Sequence, residues 1–143
     1  MESKNAGTPR RKILIVDDEE PIILLLKTIL GVYGYDSCES LSPKGTFAKV
    51  EAEKPDLVIL DIAMPELDGY EVCRQLKQNE KTNHIPVVMI TALALEQDRK
   101  MAMEAGADGF ILKPFDPRDV IAEIERLTSG GPGKPPVPLK PKA

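Results

Sequence analysis

Four short runs in this chain are apolar at every position: Ile13-Leu14-Ile15-Val16, Leu57-Val58-Ile59-Leu60, Val87-Val88-Met89-Ile90 and Phe110-Ile111-Leu112. Most of their residues are β-branched. A strand without polar alternation is one covered on both faces, as in a parallel sheet. The polar stretch Asp36-Ser37-Cys38-Glu39 predicts a weaker strand that fits only an edge. Helical patterns fill the gaps. Pro21 suits the first turn of a helix running to about Val32, with Gly34 to end it. Asp116 reads as an N-cap with Pro117 at N1, followed by an apolar stripe of Val120, Ile121, Ile124 and Leu127. Met101, Ala102 and Ala105 predict a smaller stripe on the preceding helix, with Gly106 at its C′ position. Five strands alternating with five helices imply an α/β fold: a central parallel sheet with helices on both faces and right-handed crossovers.

The ends differ from this body. Residues 1 to 11 read as a flexible arm. Residues 129 to 143, SGGPGKPPVPLKPKA, are too rich in proline and glycine for a packed helix or a central strand. They read as a disordered tail or the start of a linker. The domain is therefore expected over residues 12 to 128. Lys4, Arg10, Arg11, Lys134, Lys140 and Lys142 lie outside it against only Glu2, so the body is more acidic than the net charge of −4. Such a body is a poor nucleic-acid binder. No apolar run approaches the ~20 residues that span a bilayer, and residues 1 to 12 lack the apolar stretch of a secretory signal, so a cytoplasmic location is the default. Cys38 and Cys73 match no metal or redox spacing and read as reduced thiols. The lone histidine, His84, reads as a surface loop residue.

In an open α/β sheet, ligands bind beyond the carboxyl ends of the strands. The first run ends in Asp17-Asp18-Glu19, the third strand in Asp61, the fourth in Thr91 and the fifth in Lys113. Singly, each has an ordinary reading: a helix cap, strand-end filler, a surface lysine. Together they deliver three carboxylates, a hydroxyl and an ammonium to one edge. Carboxylates so grouped repel one another unless a cation intervenes, and hard oxygen ligands suit Mg²⁺. A carboxylate kept ionised in this way is a nucleophile for phosphoryl groups. Mg²⁺ and Lys113 would neutralise the phosphoryl oxygens, and the Thr91 hydroxyl would hydrogen-bond one of them.

These residues carry a resemblance to the receiver domains of two-component response regulators. The matching segments are Ile15-Val16-Asp17-Asp18-Glu19, Leu60-Asp61-Ile62-Ala63-Met64-Pro65-Glu66-Leu67-Asp68-Gly69, Met89-Ile90-Thr91-Ala92 and Phe110-Ile111-Leu112-Lys113-Pro114-Phe115. The resemblance covers residues 12 to 128. It implies a flavodoxin-like (βα)5 fold with strand order 2-1-3-4-5. It also implies phosphorylation of Asp61 by a histidine kinase, a phosphotransfer protein or a small phosphodonor. Asp17, Asp18 and Asp61 match the family's metal-binding acids, with the Ala63 carbonyl completing the protein ligands. Thr91 and Lys113 match its switch hydroxyl and lysine. Phe110 falls at the family's aromatic switch, though a core aromatic is an equal reading, and Pro114 at its cis-proline.

The resemblance further implies a signalling switch rather than an enzyme. Thr91 and Phe110 would move inward together on phosphorylation. That would alter the face of the last two helices and the fifth strand, around Leu93 to Lys100 and Asp116 to Glu123, and members of the family pair through the last helices when phosphorylated. The apolar Ala63 and Leu93 cannot orient an attacking water, so a long-lived phosphoryl group is expected. Three alternatives are weighed against this. A phosphorylation-independent scaffold is opposed by the complete acid, threonine and lysine set. An aspartate-nucleophile phosphatase is opposed by Ala63, where a second acid is needed. A nucleotide-binding domain is opposed by the lack of a Gly-rich loop after the first strand. The same residues also suit a regulatory domain whose output domain follows residue 143.

Overall fold

The computed structural model describes residues 11–41, 45–62, 69–92 and 96–128. Except for Arg11, the expected N-terminal arm lies outside these residues, as do the C-terminal tail, Ala63 and Leu93. Strands and helices alternate: β1 Lys12–Val16, α1 Glu20–Val32, β2 Asp36–Ser40, α2 Thr46–Glu53, β3 Leu57–Asp61, α3 Gly69–Gln78, β4 Val87–Thr91, α4 Glu96–Glu104, β5 Gly109–Leu112 and α5 Pro117–Thr128. The strands form one parallel sheet in the order β2-β1-β3-β4-β5. This is the flavodoxin-like topology.

Each wholly apolar run becomes a strand covered on both faces. On one face Leu14, Val16, Val58, Leu60 and Met89 pack with α2, α3 and α4 through Val50, Val72, Cys73, Leu76 and Ala102. On the other, Ile13, Ile15, Ile59, Val88 and Ile90 pack with α1 and α5 through Ile23, Leu26, Leu30, Val120, Ile121 and Ile124. Alternate residues of one strand thus serve two cores, which is why these runs need no polar positions. The polar β2 is an edge strand, paired only with β1, and the short β5 forms the other edge, paired only with β4.

The helix ends follow the sequence signals. Asp116 caps α5, its Oδ1 accepting the Arg118 backbone N–H at 2.8 Å. Gly34 and Gly106 adopt φ +88° and +99° after α1 and α4. At both ends the paired bonds of a Schellman motif form: Tyr35 to Leu30 and Gly34 to Gly31, then Ala107 to Ala102 and Gly106 to Met103. The stripe expected on α4 needs correction. Ala102 and Ala105 are buried, but Met101 is 43% exposed. Asp98 takes its place, four residues before Ala102 on the same helical face. The Tyr70 hydroxyl lies 3.3 Å from the Asp98 backbone carbonyl and 3.5 Å from Asp98 Oδ1, a polar partner for the carboxylate in that stripe.

At the edge where β4 and β5 begin, Asp108 ties three elements together. Its Oδ2 accepts from the Lys77 ammonium of α3 and from the Val87 backbone N–H, both at 2.9 Å. Lys77 also donates to the Ile85 carbonyl at 3.0 Å. Asp108→Ala removes both bonds and leaves Val87 N–H unpaired. Urea unfolding is expected to show a loss of about 2 kcal/mol.

Both thiols are shielded. Burial pushes Cys73 up to about 12, and burial also raises Cys38, so neither is a ready thiolate. Among the described residues, no helix is long and apolar enough to cross a membrane.

Candidate functional site

The strand order reverses between β1 and β3, so the crossovers leaving these two central strands diverge and open a crevice at their carboxyl ends. The register sets what faces that crevice. Val16 pairs with Leu60, so Asp17 stands across from Asp61. Asp61 pairs with Ile90, and the Ile62 N–H reaches the Ile90 carbonyl at 3.3 Å, which sets Thr91 beside the same strand end. Thr91 pairs with Leu112, and the Lys113 N–H donates to the Thr91 carbonyl at 2.8 Å. Four strand ends are therefore held in step by main-chain hydrogen bonds.

Asp17, Asp18 and Asp61 each offer a carboxylate oxygen, and the three atoms lie within 4.8 Å of one another. Asp17 is fully buried, Asp61 is 3% exposed and Asp18 is exposed. The Lys113 ammonium reaches between the first strand and the third, 3.5 Å from Asp17 Oδ2 and 3.6 Å from Asp61 Oδ2. Thr91 is fully buried at the end of β4. Phe110 is half-buried against the core beneath α4, with the Arg99 guanidinium 5.4 Å from its ring centroid. The Lys113–Pro114 peptide bond is cis.

Burial pushes the Asp17 carboxyl up to about 6, and the neighbouring Asp61 adds to the rise. The Glu19 backbone N–H, which donates to Asp17 Oδ1 at 2.8 Å, and the Lys113 ammonium oppose it only in part. One ammonium against three carboxylates leaves negative charge in a desolvated crevice. Oxygen donors at this spacing, short of positive charge, fit a small hard divalent cation. The arrangement can thus hold a cation among Asp17, Asp18 and Asp61, with the Lys113 ammonium beside Asp17 and Asp61 and Asp18 at the exposed edge.

One positioning residue was visible in the sequence only as part of a motif. Gly69, the first residue of α3, is buried against the end of β3. A Cβ there would lie 2.8 Å from the Asp61 carbonyl oxygen and 2.8 Å from Ile62 Cα. Its φ is not positive, so the need for glycine is close approach of helix to strand.

Residues 13–125 match the family model for the response regulator receiver domain, and the chain belongs to that family. Its members are the phosphoacceptor switches of two-component systems. The chain is 44% identical over 117 residues to PhoP of Bacillus subtilis, an alkaline phosphatase synthesis transcriptional regulatory protein; the match covers 82% of this chain and 48% of PhoP. It is 38% identical over 131 residues to PhoB of Pseudomonas aeruginosa, a phosphate regulon transcriptional regulatory protein, covering 91% of this chain and 57% of PhoB. The chain thus spans about half the length of these curated relatives. Among solved structures, the signal receiver domain of a histidine kinase from Syntrophus aciditrophicus superposes with a TM-score of 0.79 at 35% identity, covering 90% of this chain and 98% of that one. A response regulator from Chloroflexus aurantiacus superposes with a TM-score of 0.81 at 27% identity, covering 85% and 99%.

Proposed function

We propose that Asp61 accepts a phosphoryl group from a histidine kinase or phosphotransfer protein, and that the α4–β5–α5 face carries the resulting signal to a protein partner or a linked output domain. The reading rests on one observation: Asp61, Asp17, Asp18, Thr91 and Lys113 converge at the switch point of the sheet. An Asp61 carboxylate oxygen attacks phosphorus in line. The new bond is O–P; the donor's N–P bond breaks, and its electron pair leaves with the imidazole. Lys113 offsets charge on the phosphoryl oxygens, and the Thr91 hydroxyl donates to one of them. Mg²⁺ held by Asp17, Asp18, Asp61 and the Ala63 carbonyl would supply the remaining charge neutralisation.

Thr91 shares β4 with Met89, whose register partner on β5 is Phe110. A shift of Thr91 toward a phosphoryl oxygen would therefore be felt beside Phe110 and beneath α4. Met101 and Met103, 43% and 51% exposed on α4, offer adaptable apolar contacts on that side. A linked output domain is supported by PhoP and PhoB, transcriptional regulators about twice as long as the matched region.

Incubation with acetyl phosphate and Mg²⁺, followed by intact-mass measurement, is expected to show a single phosphoryl adduct. Asp61→Ala, and the parent protein in excess EDTA, are expected to show none. An adduct on Asp61→Ala at the parent's level would place the acceptor elsewhere. No adduct on the parent, with Mg²⁺ binding observed, would favour a phosphorylation-independent scaffold.

A further inference from the structure

A surface helix ordinarily turns its apolar side inward and a polar side to water, and α1 departs from this. Ile23, Leu26, Ile29 and Leu30 are buried in the core, yet Leu25 and Val32, and Tyr33 at the C-cap, remain 46%, 77% and 48% exposed. At i, i+7 and i+8 these three share one side of the helix. Lys27 lies on the other side, where its ammonium meets Glu39 of the edge strand β2 at 2.6 Å. The exposed apolar side is therefore the one that borders α5.

On α5, Arg118, Ala122 and Glu125 share one exposed side at i, i+4 and i+7. Arg118 lies within electrostatic range of Tyr33, and Glu125 within range of Tyr35. The two helices thus flank a seam with an exposed aromatic on one wall and the small Ala122 on the other. Arg118 pairs with Asp116 at 2.9 Å and Arg126 with Glu123 at 2.7 Å, whereas Glu125 has no ion-pair partner among the described residues.

The chain leaves α5 at the foot of this seam. Tyr35, just past α1, and Leu127, in the last turn of α5, pack against one core, so both helices end at the same edge of the sheet. The residues that follow lie outside the described ones, and their sequence fits the seam. Ser129-Gly130-Gly131-Pro132-Gly133 places glycines where the chain would have to reverse. Lys134-Pro135-Pro136-Val137-Pro138-Leu139-Lys140 follows, and its prolines preset the polyproline II conformation. At ~3.1 Å per residue this segment spans about 20 Å, which matches the 13 residues of α1 at ~1.5 Å each. Such segments dock in apolar grooves lined by aromatic residues, at a low cost in ordering. Residues 129–143 carry lysines and no acid, complementary to Glu125.

We propose that residues 134–140 fold back onto the α1–α5 seam of the same molecule, with Val137 and Leu139 against Leu25, Val32 and Tyr33 and a lysine beside Glu125. Tethering at Thr128 makes the docking unimolecular, with an effective concentration of the order of millimolar, so a contact too weak to hold a separate peptide suffices. Docking there is independent of the chemistry at Asp61.

The test is amide-resolved NMR of the full chain beside a full-length variant carrying Val137→Ser and Leu139→Ser, which keeps every proline and lysine. The amides of Leu25, Val32, Tyr33, Ala122 and Glu125 are expected to shift in the variant, and by the same amount across a roughly twentyfold dilution. Tyr33→Ser, at an exposed position, is expected to shift the amides of Lys134, Val137 and Leu139 in return. The remainder of each spectrum reports that the variant is folded. A double variant unchanged outside residues 129–143 would overturn the proposal. Shifts centred on α3 or α4 would overturn it too, by placing the segment on another face. Shifts that fade on dilution would assign the seam to the segment of a second copy and so exclude docking within one molecule.

Discussion

Gly69→Ala is expected to cost about 2–3 kcal/mol of stability and to slow phosphorylation of Asp61 by roughly a hundredfold. On an exposed helix the same substitution would be favourable by up to ~1 kcal/mol, because alanine is the better helix former. Here the added Cβ meets the Asp61 carbonyl oxygen and Ile62 Cα, each at 2.8 Å, and the Ile62 oxygen at 3.0 Å. These are backbone atoms, so no rotamer change relieves the overlap. Either α3 lifts away from the core, losing the packing of Val72, Cys73 and Leu76, or the end of β3 moves and carries the Asp61 carboxylate with it. The first route appears as a lower urea midpoint, the second as a lower rate with acetyl phosphate. A variant with parental stability and parental rate would show that the helix–strand approach does not position Asp61.

Asp17→Asn is expected to have the opposite effect on stability. In the metal-free protein Asp17 sits at about 6 against an ordinary 3.8, chiefly because it is buried. A carboxyl raised in the folded state favours folding when protonated. Below pH 3.8 it is protonated in both states and imposes no penalty. As pH rises from about 4 to 6 the unfolded state loses its proton first, so stability falls, and above about 6 the full penalty is present. Asparagine keeps an oxygen to accept the Glu19 N–H while removing the charge, although it gives up the 3.5 Å approach of Lys113. At pH 7.5 without divalent cations the variant is expected to be about 1–2 kcal/mol more stable than the parent, with the difference vanishing near pH 4. Added Mg²⁺ is expected to stabilise the parent and leave the variant nearly unchanged. Thermal melts at both pH values, with and without Mg²⁺, measure all of this. A variant less stable than the parent at pH 7.5 would mean that the ion pair with Lys113 outweighs the cost of burying the Asp17 charge.

Much of the architecture is written in local pattern. Ile13 to Val16 and Val87 to Ile90 have no polar position, and only a strand between two layers of helices satisfies that. Gly34, Gly106 and Asp116 mark helix ends because the backbone conformations and orphan hydrogen-bonding groups there suit few residue types. Asp17, Asp61, Thr91 and Lys113 could be assigned to one edge before any contact was known, because every strand of a parallel sheet ends on the same side.

Other features depend on separations that no local pattern encodes. Asp98 reads as a surface acid on α4, yet it is buried, with the Tyr70 hydroxyl of α3 3.5 Å from its Oδ1. The rise of Asp17 to about 6 depends on its burial together with the position of Asp61 across the crevice, 44 residues later in the chain. Gly69 shows the same division: the motif supplies the glycine, and only the packing of α3 against the end of β3 shows the close approach that requires it. Helical and strand periodicity follows from hydrogen bonding between nearby residues and is legible in sequence. Close approach, desolvation and cavity shape follow from how whole elements pack, and the tertiary structure alone decided them.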